Sequence, residues 1–311
     1  MFRFCLVGFG RWGKVYYETI NRLDFCALDC IVLNEASPRV DQEIGVPIFY
    51  RLEDVIGSRR VDGFIIATPP ATHLNLAKIC LLSRLPVLVE KPYTMNFAQA
   101  SQLTNIAIEN KTMIMVGYQH LFANNYITLK KLVDFNSSHL EVYSEGLSNG
   151  PFRSNVSVFR DWGSHEFSMA IDLFNEKPVS YALKMILGEK EDAAKGVYLM
   201  ELQFTLDRKY TSLFGNISEV KRRTLMATYP GGWAYLNGLD QGGCVVMKNG
   251  SIVEPKSILS AGVKPLDLML SQFVTHAKSE VLNFKKLNDT LAIVLLIDEI
   301  ENKFILENAN V

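Results

Sequence analysis

The sequence predicts an α/β fold in two parts. Residues 1–120 form a doubly wound parallel sheet, and residues 121–311 an α+β part with a mostly antiparallel sheet. Three observations carry this. The first strand pattern runs into the glycine pattern Gly8-Phe9-Gly10-Arg11-Trp12-Gly13. Strand and helix patterns then alternate up to about residue 120, as parallel βαβ units require. Beyond that point strand patterns follow one another with short turns between them, as in antiparallel sheets.

The opening strand, 2–7, ends at Gly8, and a helical pattern starts at Trp12 or Gly13. In such a turn the first glycine permits the bend, the second lets the backbone approach a pyrophosphate, and the third lets helix and strand pack closely. Free N–H groups at the helix start attract the phosphates. A second strand pattern follows at 27–33. In that context the glycines read as a dinucleotide site of Rossmann type rather than as an ordinary turn. The residue that reads the adenosine ribose stands about 20 residues further on. Asn34 and Glu35 are there, followed by Ser37 and Arg39. A carboxylate accepts ribose hydroxyls and repels a 2′-phosphate, so Glu35 leans towards NAD. Ser37 and Arg39 keep NADP open, and Glu35 also reads as a solvated loop acid.

Strand patterns at 63–67, 86–90 and 113–117 are short continuous apolar runs, such as Gly63-Phe64-Ile65-Ile66-Ala67. Such runs are expected where helices cover both sheet faces. The helical patterns lie at 12–23, 51–57, 73–83 and 96–110. Thr68-Pro69-Pro70-Ala71-Thr72-His73 follows one strand at its carboxyl end, where open α/β sheets bind ligands, and proline suits a helix start. Thr68, Pro69 and His73 are therefore cofactor candidates, though Thr72 can be a plain helix cap, and a cap is the more common reading of His73 at such a position. Glu90-Lys91-Pro92 closes the strand at 86–90 and places Lys91 at the same crevice. A lone lysine there is ordinarily just solvated.

The second part opens with a helical stretch at 122–134. Strand patterns follow at 139–147, 179–188, 196–206 and 210–219, with shorter pieces to about 254. Their alternation, as in Val197-Tyr198-Leu199-Met200-Glu201-Leu202-Gln203-Phe204, expects one face on helices and leaves the other for a partner subunit. Two helices close the chain near 265–280 and 286–307. Within this part, Arg160-Asp161-Trp162-Gly163-Ser164-His165-Glu166-Phe167 leads into an apolar helix ending near Phe174. Asp161 and His165, four apart, can share a side. The small residues Gly163 and Ser164 are expected to leave room for a ligand. A histidine at a helix start is ordinarily structural; its carboxylate neighbour makes it a candidate here.

Composition narrows the classes. Lysine plus arginine (32) nearly balances aspartate plus glutamate (33). The net charge of −1 gives no electrostatic reason for nucleic-acid binding. Lys221-Arg222-Arg223 reads as solvated charge at a sheet edge. No run approaches the ~18–20 apolar residues that span a bilayer. The chain starts directly on a strand, so no cleavable signal peptide is expected. Cys5, Cys26, Cys30, Cys80 and Cys244 form no CxxC and read as reduced thiols of a cytoplasmic protein. No HExxH or paired CxxC supports a metal site.

Together these motifs resemble the glucose–fructose oxidoreductase / inositol dehydrogenase / MocA family. The likeness covers almost the whole chain. It rests on Gly8-x-Gly10-x-x-Gly13, on Ala67-Thr68-Pro69-Pro70-Ala71-Thr72-His73, on Glu90-Lys91-Pro92 and on Gly117-Tyr118-Gln119-His120. It also rests on Asp161-x-Gly163-x-His165 and on the late segment from Pro265 to Val274. The resemblance implies a Rossmann domain followed by an α+β domain with a large open sheet, assembled as a homodimer or homotetramer through that sheet. It implies that Lys91, Asp161 and His165 line the nicotinamide site, that Glu90 holds the nicotinamide ribose, and that the Lys91–Pro92 bond is cis. The cofactor set is then Gly8, Gly10, Arg11, Trp12, Gly13, Asn34, Glu35, Thr68, Pro69, His73, Glu90 and Lys91, holding NAD or NADP. The segment from Pro151 to Val156 resembles members acting on nucleotide-linked or amino sugars. Two departures stand out. Ser168 replaces the aspartate often found three residues after the histidine, and Asn34-Glu35 replaces the common aspartate.

Oxidising a sugar hydroxyl needs a base for the O–H proton and an acceptor for the C–H hydride. A histidine, whose ordinary pKa lies close to physiological pH, suits the first role, so His165 is the candidate base. Lys91 would stabilise the developing alkoxide, and Asp161 would orient the substrate or His165. Tyr118, His120 and Arg153 are candidate substrate contacts. Two other readings stay open: a non-catalytic dinucleotide sensor of the same fold, and a reductase of a non-sugar substrate.

Overall fold

The computed structural model describes residues 1–34, 44–58, 61–153, 155–189, 192–238, 243–253, 262–279 and 281–309. The chain divides into two compact units, Met1–Gly117 with Leu266–Val294, and Tyr118–Pro265 with Leu295–Val311.

In the first unit the order is β1 (Phe2–Val7), α1 (Arg11–Arg22), β2 (Cys26–Val32), β3 (Ile48–Phe49), α2 (Leu52–Ser58) and β4 (Gly63–Ile66). Then follow α3 (His73–Leu82), β5 (Val87–Val89), α4 (Phe97–Glu109) and β6 (Ile114–Val116). The sheet order is β3-β2-β1-β4-β5-β6, and every pairing is parallel. Phe64, Ile65 and Ile66 of β4 and Val87, Leu88 and Val89 of β5 are fully buried, because helices cover both faces. The chain runs outward from β1 through β2 and β3, then returns to add β4 on the other side. The switch point therefore lies between the carboxyl ends of β1 and β4, the place where doubly wound sheets bind ligands.

The strand β3 is not visible in the sequence pattern. Two residues are too few to show a period. A late helix also belongs to this unit rather than to the rest of 121–311: α7 (Pro265–Ser279). Arg22 donates to both oxygens of Asp267, at 3.0 and 2.5 Å. Phe273 packs edge-on to Phe2 at 6.0 Å and beside Phe4 at 5.6 Å.

The second unit starts with α5 (Asn124–Leu132), β7 (Glu141–Asn149) and α6 (Ser164–Phe174). It continues through β8 (Ser180–Gly188), β9 (Gly196–Phe204), β10 (Arg208–Gly215), β11 (Ile217–Tyr229), β12 (Gly232–Asn237), β13 (Cys244–Lys248) and β14 (Ser251–Val253). The final helix α8 (Phe284–Ala309) gives its latter part to this unit. The eight-stranded sheet has the order β14-β13-β12-β11-β7-β10-β9-β8. It is antiparallel except where β10 runs parallel to β7. One face is buried: Leu202, Tyr210, Val142, Ala227, Ala234 and Val246 form a row across it. Helix α5 packs on β12 and β13, and α6 on β10. On the opposite face Tyr143, Met226, Tyr235 and Val245 stand in register across four strands. Each is between 36% and 40% exposed.

Among the described residues, no helix is long and apolar enough to cross a membrane, and no group of His, Cys, Asp or Glu could hold a metal ion. The five cysteines are free, and all but Cys244 are buried. Burial pushes the thiols of Cys5, Cys26 and Cys80 up, Cys26 to about 11.

Candidate functional site

At the end of β1 the chain bends at Gly8, whose φ of +93° is a region that side chains avoid. A Cβ there would also lie 2.7 Å from the Thr68 side chain and 2.9 Å from the Ala67 carbonyl oxygen, so this turn touches the end of β4 directly. A Cβ on Gly13 would run into the carbonyl oxygen of Gly8, which is how closely α1 sits on its strand. Gly10 differs from both. A Cβ there would meet nothing within 4 Å. It is the N-cap of α1, no side chain caps that terminus, and its first turn holds no acidic residue. Uncapped N–H groups beside open space, with Arg11 exposed next to them, suit the phosphates of a dinucleotide. Trp12 is half-buried and packs 6.5 Å from Tyr16. Asn34 is exposed just past β2; Glu35, Ser37 and Arg39 lie outside the described residues.

The turn after β4 is built by its own hydroxyls. The Thr72 hydroxyl donates to the Pro69 carbonyl at 2.8 Å and lies 2.7 Å from the Thr68 hydroxyl. Neither Thr72 nor His73 caps α3 through its side chain, which corrects the plain capping reading. His73 is fully buried. Its ring nitrogens lie 2.9 Å from the Pro92 carbonyl oxygen and 3.0 Å from that of Thr68. The side chain thus ties the turn after β4 to the turn after β5.

Lys91 stands just past β5, partly exposed, and its peptide bond to Pro92 is cis. The preceding Glu90 is buried. It accepts from the Tyr16 hydroxyl at 2.6 Å and from the Lys91 backbone N–H at 3.2 Å. A Cβ on Gly117 would crowd it at 2.9 Å, so glycine at that position makes space for the carboxylate. Burial, and then the carboxylate, push the Tyr16 hydroxyl well above its ordinary pKa, so it stays a donor. Helix α1 and the Lys91 backbone are thereby fixed to one another through Glu90.

In the second unit, Phe159–Gly163 forms a single π turn that runs into α6. Such turns recur at functional sites. It carries Asp161, and His165 follows four residues later; both are 6% exposed. Arg153 lies 3.5 Å from Asp161. The neighbouring Arg160 is buried between Asp298, at 2.6 Å, and Glu301, which anchors the turn to α8. Gly163 does not leave room for a ligand. A Cβ there would meet the rings of Phe167 at 2.9 Å and Phe214 at 3.2 Å, so its smallness serves packing. Ser168 donates to the His165 carbonyl at 2.8 Å and is turned back onto its own helix. Tyr118 is buried, and His120 is stacked on His165 with ring centroids 3.9 Å apart.

Sequence reasoning missed the groups that hold this turn in place. Glu166, fully buried, accepts from Ser144 at 2.5 Å, Ser212 at 3.0 Å and Tyr210 at 3.1 Å. Arg223 reaches its other oxygen at 3.4 Å and lies over the Trp162 ring at 4.8 Å. Arg223 is therefore not solvated edge charge. Burial pulls its guanidinium below the ordinary value, and Glu166 pulls it back up. Only Glu166 carried a signal, as a carboxylate in the first turn of a largely apolar helix. Glu166→Ala is expected to cost about 3–5 kcal/mol, because it leaves a buried cation and three hydroxyls without their acceptor. Chemical denaturation checks this; a loss below about 1 kcal/mol would show the network to be dispensable.

Residues 2–118 match the model of an oxidoreductase family with an NAD-binding Rossmann fold, that of glucose–fructose oxidoreductase, inositol dehydrogenase and MocA. An inositol 2-dehydrogenase of Rhizobium meliloti is 24% identical over 208 residues, which are 63% of this chain and 62% of that protein. Inositol 2-dehydrogenase 1 of Mycolicibacterium vanbaalenii is 35% identical over 133 residues, 41% of this chain and 38% of its own. The chain thus spans less than two thirds of these curated relatives. An aldose–aldose oxidoreductase from Caulobacter crescentus has the same fold, with a TM-score of 0.85 at 15% identity, covering 98% of each chain.

Proposed function

We propose that the protein is a nicotinamide-dependent oxidoreductase acting on a hydroxyl or ketone of a sugar or sugar derivative. The observation that carries the reading is in the first unit. An uncapped helix N-terminus with open space at Gly10 and Lys91 past β5 both stand at the carboxyl edge of one parallel sheet. The inositol dehydrogenases among the relatives support a polyol-like substrate.

The bound cofactor supplies hydride acceptance. The rest falls to this chain. Gly8, Gly10, Arg11, Trp12 and Gly13 would hold the pyrophosphate, with Thr68 and Pro69 along the neighbouring turn. Glu90 would fix the Lys91 backbone and reach the nicotinamide ribose, while His73 braces the two turns. Lys91 would donate to the reacting oxygen and stabilise alkoxide charge, and His165 would take the hydroxyl proton. Asp161, with Arg153 beside it, would orient His165 or the substrate. Tyr118 and Arg153 would contact the substrate. Ketone reduction uses the same groups in reverse.

NAD(H) is expected to bind more tightly than NADP(H), on the strength of Glu35. Calorimetric titration of both checks this. Tighter NADP(H) binding would assign Ser37 or Arg39 to a 2′-phosphate. A screen of polyols and nucleotide sugars for a change in reduced-nicotinamide absorbance tests the activity. Cofactor binding without turnover on any of them would favour a dinucleotide sensor.

The same reading places self-association on the exposed face of the second sheet, as a homodimer or homotetramer. The row Tyr143, Met226, Tyr235 and Val245 offers a continuous apolar strip across four strands. Met226→Lys is expected to shift the mass measured by light scattering towards the monomer. A monomeric unaltered protein would remove the assembly.

A further inference from the structure

His120 lies in the short 3-10 turn Gln119–Phe122, and His165 is the second residue of α6. Their rings stack nearly face to face, 3.9 Å between centroids and 25° between planes. Two neutral imidazoles, or one neutral and one cationic, tolerate this arrangement. Two cations this close repel strongly, so the second proton binds much more weakly than the first.

The charged groups on the elements around the pair have partners of their own. On the π turn, Arg160 is held by Asp298 and Glu301. On α6, Glu166 is turned to Arg223 and the sheet hydroxyls, and Asp172 pairs with Lys130 of α5. Lys131 of α5 is exposed. On β10, Arg208 is paired with Glu176, and Lys209 with Glu201. Asp161, four residues before His165, would favour a cation on the rings, and Arg153 beside it opposes that.

We propose that His120 is a positioning residue for His165, stacking its ring in place and limiting the pair to at most one positive charge across the neutral range. The inference rests on the reading of His165 as the proton acceptor and says how that role is secured. Both rings enter the oxidation uncharged, with His165 placed to accept. The proton it receives then becomes that one charge.

The test is a titration of the imidazole Cε1–H signals of the full chain, by NMR from about pH 5 to pH 9, spanning the ordinary histidine range. The chain has five histidines, so single substitutions assign them. In the unaltered protein, His120 and His165 are expected to titrate in two coupled steps at least about one pH unit apart. In His120→Phe, which keeps an aromatic ring but no proton, His165 is expected to titrate in one step with its midpoint raised. In His165→Phe, His120 is likewise expected to titrate in one step; the repulsion removed is the same in both variants, and the larger rise falls on the ring that takes the second proton in the unaltered protein. His120→Gln and His165→Gln repeat the pair if a phenylalanine variant fails to fold. Single-step titrations with midpoints that no substitution moves would overturn the pairing and leave the proposed function standing. Coupled titrations with an unmoved acidic limb of the turnover profile in His120→Phe would remove His165 as base, and the positioning role with it.

Discussion

Lys91→Met is expected to lower turnover by about 10²–10⁴-fold, the usual loss when one positioned acid or base is removed. Dinucleotide affinity should stay close to that of the unaltered protein. Methionine keeps most of the lysine stem and deletes only the charged donor. The backbone at this position is held independently of the side chain, by the Glu90 carboxylate accepting from the Lys91 N–H. The sheet edge is held by Tyr16 and His73. The variant therefore separates the ammonium from the fold around it. His165→Ala should give a loss of the same order, again with little effect on cofactor binding. Stopped-flow measurement of hydride transfer, beside calorimetry with NAD(H), gives both readings once a substrate is found. Near-unaltered turnover in both variants would move the chemistry to another group, with Tyr118 the first to examine.

The difference between what the sequence discloses and what it hides follows from the range of the interactions. Strands such as Gly63–Ile66 and Val87–Val89 are legible because burial on both faces demands an unbroken apolar run. The glycine turn is legible because each glycine answers a local demand: a left-handed φ at Gly8, and contact of Gly13 with the Gly8 carbonyl. The alternation in β9 and β10 shows a sheet with one covered face.

What stays hidden is set by partners far away in the chain. Arg223 looks like one of three surface cations because nothing near it reveals Glu166, 57 residues earlier. The space for both comes from Gly146 on the neighbouring strand. A Cβ there would lie 2.6 Å from the guanidinium and closer still to the carboxylate. In the same way Gly163 suggests room beside His165, and only the packed unit shows that Phe167 and Phe214 fill it. The stacking of His120 on His165 joins residues 45 positions apart across two short turns, and no periodicity announces it.

Gly10→Val is expected to abolish measurable dinucleotide binding while leaving the fold intact. The three glycines of the turn are not equivalent. A side chain at Gly8 meets Thr68 and Ala67 and demands an unfavourable φ, and one at Gly13 meets the Gly8 carbonyl. Substitution at either damages the turn itself, so lost binding there says nothing specific about a ligand. Gly10 has an ordinary φ of −74° and open space where its Cβ would stand. Valine costs the protein little at that position, yet its methyls occupy the approach to the first N–H groups of α1, where a pyrophosphate would lie. Calorimetry with NAD(H) and NADP(H), together with thermal unfolding, gives the two measurements needed. An unchanged unfolding temperature with no heat of binding is the expected result. Unchanged affinity in the folded variant would remove the dinucleotide from this turn, and Lys91 would lose the cofactor beside which its role is defined.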